Sequence, residues 1–326
     1  MRIIGIIILG LNILFFSCSK NNTCINVEGP LRFRTVVGKE PITYLPYCVK
    51  FDDRSNQLIV SDTKKCKLFI LSPEGRLIYE IGRRGEAQGE FLFPKDIGID
   101  ENGRIYVLDN NRIKIFNAQG IELASFKPKG IPWRICVKDT DEIYILSSKP
   151  VNGKILLKYD WRGRMINMYL TGKMEKNPFL QMLSNQGSVT CDNEGNIYVA
   201  FTNEYRVVKL DREGKIFDNY IKKSVPYKII RPHKRKKPDE KMMSIVIADI
   251  TCDERGYLYV LWGENVGKSY YRVDVYNKIG KLIGFMKLKV SNGGFFNSLA
   301  VHSNSIYVCE TQSDGLIYKF KVEGLP

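Results

Sequence analysis

Histidine is almost absent: the chain carries two among 326 residues, His233 and His302. That scarcity excludes a multi-histidine zinc or iron site and weakens any mechanism needing a histidine base. No Cys-x-x-Cys pair occurs, so structural zinc and thioredoxin-like chemistry lack a motif. A phosphate-binding glycine loop, a nucleophile elbow and an HExxH helix are missing too. No apolar run reaches the roughly 20 residues of a comfortable membrane span. Acidic residues are outnumbered, 35 against 50 Lys plus Arg, for a net charge of +15. What is plentiful is aromatic: 18 Tyr and 16 Phe. With 44% apolar and 26% charged residues, the composition is that of a globular protein. A chain this long buries enough surface to hold a core without a disulfide scaffold.

Met1-Arg2 gives a positive start, and Ile3 to Phe16 is apolar apart from Asn12. This fits the apolar stretch of a signal peptide. It ends Phe15-Phe16-Ser17-Cys18, which resembles the lipobox of bacterial lipoproteins. The resemblance implies cleavage before Cys18 and lipidation of its sulfur, with 1–17 as signal peptide and 18–27 as tether. A plain secretory signal with an incidental cysteine is the other reading. The Ser-Cys-Ser-Lys string looks like lipoproteins of Bacteroides-type bacteria. Ser19 to Asn22 carries no acid, which implies an outer-membrane anchor facing the periplasm rather than surface export. An exported protein is not expected to meet nucleic acid, so the positive field points to lipid headgroups or anionic glycans.

A short triplet recurs along the chain: Leu58-Ile59-Val60, Ile105-Tyr106-Val107, Ile143-Tyr144-Ile145, Ile197-Tyr198-Val199, Leu258-Tyr259-Val260 and Ile306-Tyr307-Val308. The spacings run from 38 to 61 residues, the range of propeller blades. About ten residues before each triplet lies a second alternating segment, such as Asp96-Ile97-Gly98-Ile99, which reads as a strand. Between the two sit Asp-x-x-Gly turns at Asp100–Gly103, Asp192–Gly195 and Asp253–Gly256. A third strand, a similar turn and a fourth strand follow. Four antiparallel strands repeated six times predict an all-β, six-bladed β-propeller over 28–326. The sixth repeat lacks its fourth strand. Leu31 to Val37 is expected to supply it, pairing with Leu316 to Lys321 and sparing the ring an open edge.

Gly85-Glu86-Ala87-Gln88-Gly89-Glu90-Phe91-Leu92-Phe93-Pro94, running on to Asp109, is similar to the NHL repeat. The chain as a whole resembles six-bladed propeller lipoproteins of Bacteroides-type genomes, a resemblance that speaks to fold and location.

Two long connections, Thr171 to Gly187 and Ile221 to Ile247, fall on the face where the inner strands begin, as does Gly82 to Pro94. Extra loop length on one face marks a working face. The second holds a basic cluster of Arg231, Lys234, Arg235, Lys236 and Lys237, suited to an anionic glycan, a headgroup or an acidic partner, or simply a solvated loop. Cys48, Asp96, Arg134, Ser188, Asp249 and Ser298 begin the inner strands and should ring the channel mouth, with Lys95, Trp133, Asn185 and Asn297 nearby. Asp96 and Asp249 are candidate calcium ligands, and a metal there would polarise a lactone or ester carbonyl, as in calcium-dependent lactonases that resemble this architecture. The rival reading is an Asp–Arg pair bracing the channel. Trp133, Tyr47, Phe93 and Phe295 also fall near the entrance, to stack on sugar rings or to fill the space between blades.

Seven cysteines remain besides Cys18, so not all can pair. Cys136, Cys191 and Cys252 lie in inner strands and read as small buried apolar residues. Nothing in the sequence names a disulfide. The expected function is a cell-envelope ligand- or protein-binding module, its partner an envelope protein, a glycan or a small molecule, without a required cofactor. The alternative is a calcium-dependent hydrolase or a lyase acting in the channel.

Overall fold

The computed structural model describes residues 45–223, 246–263, 270–289, 295–311 and 316–323, together with the short segments 26–27, 31–33, 36–37 and 40–41. Cys18, the expected signal segment 1–17 and the basic cluster Arg231–Lys237 lie outside the described residues.

Alternating apolar residues and Asp-x-x-Gly turns build six antiparallel sheets in chain order. The first blade runs Pro46–Asp52, Gln57–Asp62, Lys67–Leu71 and Leu77–Ile81. The next four open on Pro94–Ile99, Pro132–Asp139, Gly187–Cys191 and Ile247–Cys252, and the sixth on Phe296–His302. Each opening strand touches that of the next blade, and the sixth returns to the first. The ring of inner strands is therefore complete. The sixth sheet takes its other strands from Ser305–Glu310 and Ile317–Glu323.

The triplets explain why the blades stack. In each, the middle residue and its two flanks point to opposite faces of the sheet. Tyr106 packs into the junction with the third blade, while Ile105 and Val107 pack into the junction with the first. Tyr144, Tyr198, Tyr259 and Tyr307 repeat this, each facing the following blade while its neighbours face the preceding one. The result is six apolar cores among the described residues, one at every junction. The tyrosine hydroxyls reach back to the turn aspartates: Tyr106 to Asp100 at 2.9 Å, Tyr198 to Asp192 at 2.9 Å, Tyr259 to Asp253 at 3.1 Å. Each such Asp also accepts backbone N–H bonds within its turn, and Gly103 closes one turn at a φ of 73°. Blade approach is close enough that a Cβ on Gly98 would lie 2.5 Å from Val137 Cγ2.

The N-terminal segments depart from one expected strand over Leu31 to Val37. Leu31–Phe33 pairs with Ile317–Lys319, whereas Val36–Val37 pairs with Glu40–Pro41 in a ribbon of its own. Asn26–Val27, at the end of the expected tether, pairs with Val322–Glu323. Between the third and fourth blades, the long connection folds into a helix, Pro178–Ser184, capped by Asn177, whose side chain accepts from the N–H groups of Phe179 and Leu180.

A second correction concerns cysteine. Cys136 and Cys191, read from sequence as separate apolar fillers, form a disulfide with their Cα atoms 6.5 Å apart. They lie on the opening strands of the third and fourth blades, which are adjacent, so the distance requirement is met. Cys48, Cys66, Cys252 and Cys309 are free thiols.

Candidate functional site

The first residues of the inner strands converge, and their side chains tie blade to blade. The Cys48 thiol donates to Asp96 Oδ1 at 3.2 Å, joining the first blade to the second. Asp96 Oδ2 accepts from Ile135 N–H of the third at 2.7 Å. Ser188 of the fourth blade donates to Asp249 of the fifth at 2.5 Å and accepts from Ile250 N–H. Asp249 Oδ2 accepts from Leu299 N–H of the sixth at 2.9 Å. Ser298 Oγ accepts from Val49 N–H of the first at 3.2 Å. Burial, reinforced by Asp96, pushes the Cys48 thiol far above its ordinary pKa and keeps it a donor.

Arg134 is the exception in the ring. It is only 9% exposed, yet its guanidinium has no hydrogen-bond acceptor and no ion pair among the described residues. It lies 5.6 Å from the Tyr47 ring centre and 5.9 Å from that of Trp133. The expected Asp–Arg brace is thus replaced: both acids brace through backbone N–H groups, and the arginine rests on aromatic faces. Burial opposes its charge, but Asp96, Tyr47 and Asp249 outweigh that and hold its pKa above the ordinary value.

Three loops deliver the aromatic cluster, and each is clamped alike. Asp62, two residues past its triplet, accepts from Leu45 N–H and sets Tyr47. Asp109, at the equivalent position, accepts from the N–H groups of Leu92 and Phe93 at 3.0 and 2.5 Å. Ser147 takes that place in the third blade and accepts from Ile131 N–H, ahead of Trp133. Tyr47 and Phe93 meet edge to face at 5.9 Å, and Phe93 keeps 42% exposure. Lys95 completes the group, 5.4 Å from the Trp133 ring centre, with its ammonium donating to Pro132 O.

Lys50, two residues beyond Cys48, was not singled out by the sequence. Burial opposes its charge, but Asp249 and Asp96 hold its pKa above the ordinary value. Lys50, Lys95 and Arg134 therefore stand against two carboxylates, Asp96 and Asp249. Asn297 is half-buried beside Phe296, and Phe295 is 49% exposed, apart from the cluster. Asn185, fully buried, staples the helical connection through Lys173 O and Gln181 O. The positional rule for Asp62, Asp109 and Ser147, two residues past each triplet, was available in the sequence.

Lys95 carries a cost to the fold. Burial, and then Arg134, lower its pKa from 10.5 to about 8. Between those values the unfolded chain holds the extra proton, so Lys95 destabilises the folded state at neutral pH, and that cost fades as pH rises towards 10.5. Allowing for the lost bond to Pro132 O, Lys95→Met is expected to stabilise the protein at pH 7 by about 2 kcal/mol. Urea unfolding at pH 7 and again near the ordinary lysine pKa should show the gain shrinking; a pH-independent gain would contradict the assignment.

A separate groove of about 600 Å³ runs along the second blade past Gln88, Asn110, Arg112 and Lys114. Its buried cation is already used, since Lys114 donates to Glu90 O and Ala87 O. The channel mouth, with unspent donors and exposed aromatic surface, is the stronger site.

Residues 45–127 match a protein family described as a 6-bladed beta-propeller. No curated protein sequence matches the chain. Among solved structures, a Bacteroides fragilis protein described as exported is 12% identical, with a TM-score of 0.62 over 94% of this chain and 98% of its own. A member of the DUF4221 family from Bacteroides vulgatus is 14% identical, TM-score 0.60, covering 94% and 100%. A Xanthomonas campestris gluconolactonase is 12% identical, TM-score 0.54, covering 91% and 90%. At these identities the likeness is one of fold.

Proposed function

We propose that this chain is an exported ligand-binding propeller whose recognition surface is the channel mouth. The observation that carries the reading is the set of aromatic side chains at the mouth, Tyr47 and Phe93 in edge-to-face contact and Trp133 joined to Tyr47 through Arg134, drawn from three blades by three clamped loops, with Phe93 42% exposed. Loops on a rigid scaffold are where recognition concentrates. The Cys136–Cys191 disulfide supports an oxidising, extracytoplasmic setting. With the leader and Cys18, we read the chain as a lipoprotein anchored in the outer membrane, with NHL-like repeats and with the basic cluster Arg231–Lys237 as a second contact for an anionic partner. Leu31–Phe33 and Asn26–Val27 are taken as the missing outer strand of the sixth blade.

The calcium-dependent hydrolase or lyase reading has less support. The oxygens of Asp96 and Asp249 are already accepting inter-blade bonds, and among the described residues no three His, Cys, Asp or Glu side chains converge as metal ligands.

Trp133→Ala tests the binding reading. Hydrogen exchange on the full chain, with and without a soluble envelope extract of the parent bacterium, should show added protection over residues 45–48, 92–96 and 131–135. The variant should keep its unfolding midpoint within a few degrees and lose that protection. Unchanged protection in the variant would remove the mouth as the binding surface.

A further inference from the structure

We propose that the channel mouth is a subsite for a carboxylate carried on a ring, the chemistry of a sugar acid, with Arg134 and Lys95 taking the carboxylate and Phe93 and Trp133 taking the ring. This rests on the binding reading above and names the ligand class of the same site.

Four observations converge. Arg134 is more than nine-tenths buried and spends none of its five N–H donors on the described residues. None of its nitrogens is sealed from solvent without a partner, so the unspent donors are open to the channel and to an anion entering it. Its planar fork matches a carboxylate through two parallel bonds. Lys95, on the neighbouring blade and against the same Trp133 ring, adds a second positive charge.

The aromatic side chains select among anions. Inorganic phosphate has no ring for Phe93 and Trp133 to take, so a sugar acid is favoured over it. Neither Asp96 nor Asp249 competes for the fork, because each already accepts backbone N–H groups from the adjoining blade. Phe93 is 42% exposed and lies 5.9 Å from the Tyr47 ring, whose centre is 5.6 Å from the guanidinium, so exposed aromatic surface and the fork flank one residue, Tyr47. Lys95 adds a pH signature. The charged groups facing it are Arg134, which lowers its pKa, and Asp96, which raises it, and with burial they leave it at about 8. Affinity for the anion should therefore decline as pH rises through that value.

The experiment titrates purified protein with D-glucuronate, D-galacturonate, the methyl ester of glucuronate, D-glucose and inorganic phosphate, reading thermal midpoint and tryptophan fluorescence. At least one acid should bind, with its neutral counterpart weaker by about tenfold or more. Arg134→Gln should abolish binding, and Arg134→Lys, which keeps the charge but loses the fork, should weaken it about tenfold. Lys95→Gln should weaken it several-fold and flatten the pH dependence, which a purely structural lysine would not do. Where Arg134→Gln fails to fold, Arg134→Lys and Lys95→Gln carry the test. Equal binding of ester and acid, phosphate binding at least as tightly as the acid, or no response to either sugar acid overturns the proposal. If the sugar acids fail while Trp133→Ala still removes exchange protection by extract, the mouth remains the binding surface and only the ligand class falls.

Discussion

Asp249→Ala should be among the most destabilising single substitutions at the channel, lowering unfolding free energy by about 4 kcal/mol. Three donors end on this buried carboxylate: Ser188 Oγ at 2.5 Å, Ile250 N–H at 2.9 Å and Leu299 N–H at 2.9 Å. Truncation strands them where little water reaches, and it leaves Lys50 and Arg134 without one of their two counter-charges. Leaving a buried donor unsatisfied costs about 1–3 kcal/mol, and uncovering a buried charge costs more. Ser298→Ala, which removes an acceptor from Val49 N–H without touching the charge balance, should cost about 1 kcal/mol. Urea denaturation of both variants at pH 7 checks the ranking. Asp249→Ala falling within about 1 kcal/mol of the parent would mean that the ring side chains are not what hold the inner strands together.

That ring shows which parts of this molecule can be read from its sequence. The blades were legible because the same few residues recur for a local reason. The triplet tyrosine and the turn aspartate keep step because they bond to one another within one blade, as Tyr106 and Asp100 do. The ring residues were legible as positions, since strand register places Cys48, Asp96, Arg134, Ser188, Asp249 and Ser298 at equivalent points. Their partners were not. Whether Asp96 meets Arg134 or the N–H of Ile135 depends on how two blades pack, and blade packing is non-local. The helix Pro178–Ser184 went unseen for another reason: seven residues are too few for periodicity to show. The disulfide left a trace that becomes plain afterwards. Cys136 and Cys191 are 55 residues apart, one more than the 54 between the triplets of their two blades, and because strand side chains alternate that single residue turns the two toward one junction.

Loss of that disulfide is the second large effect to expect. Cys136→Ser combined with Cys191→Ser should destabilise the chain by about 4 kcal/mol, the chain-entropy value for a loop of this length. At roughly 2 °C per kcal/mol for a large single domain, the unfolding midpoint should fall by about 8 °C. Reductant should lower the midpoint of the parent by a similar amount and leave the double variant unmoved. A parent protein indifferent to reductant, with the thiols shown to be free, would mean that the bond adds nothing to the fold. The bond's location supplies the physical reason to expect the effect. Five junctions are tied by a short ring side chain reaching the next blade. The junction between the third and fourth blades is the one where the ring residue is Arg134, turned instead onto Tyr47 and Trp133. There the covalent bond stands in for the missing hydrogen bond. It follows that the double variant should open first at this junction, and hydrogen exchange should rise over 132–139 and 187–191 before it rises elsewhere in the ring.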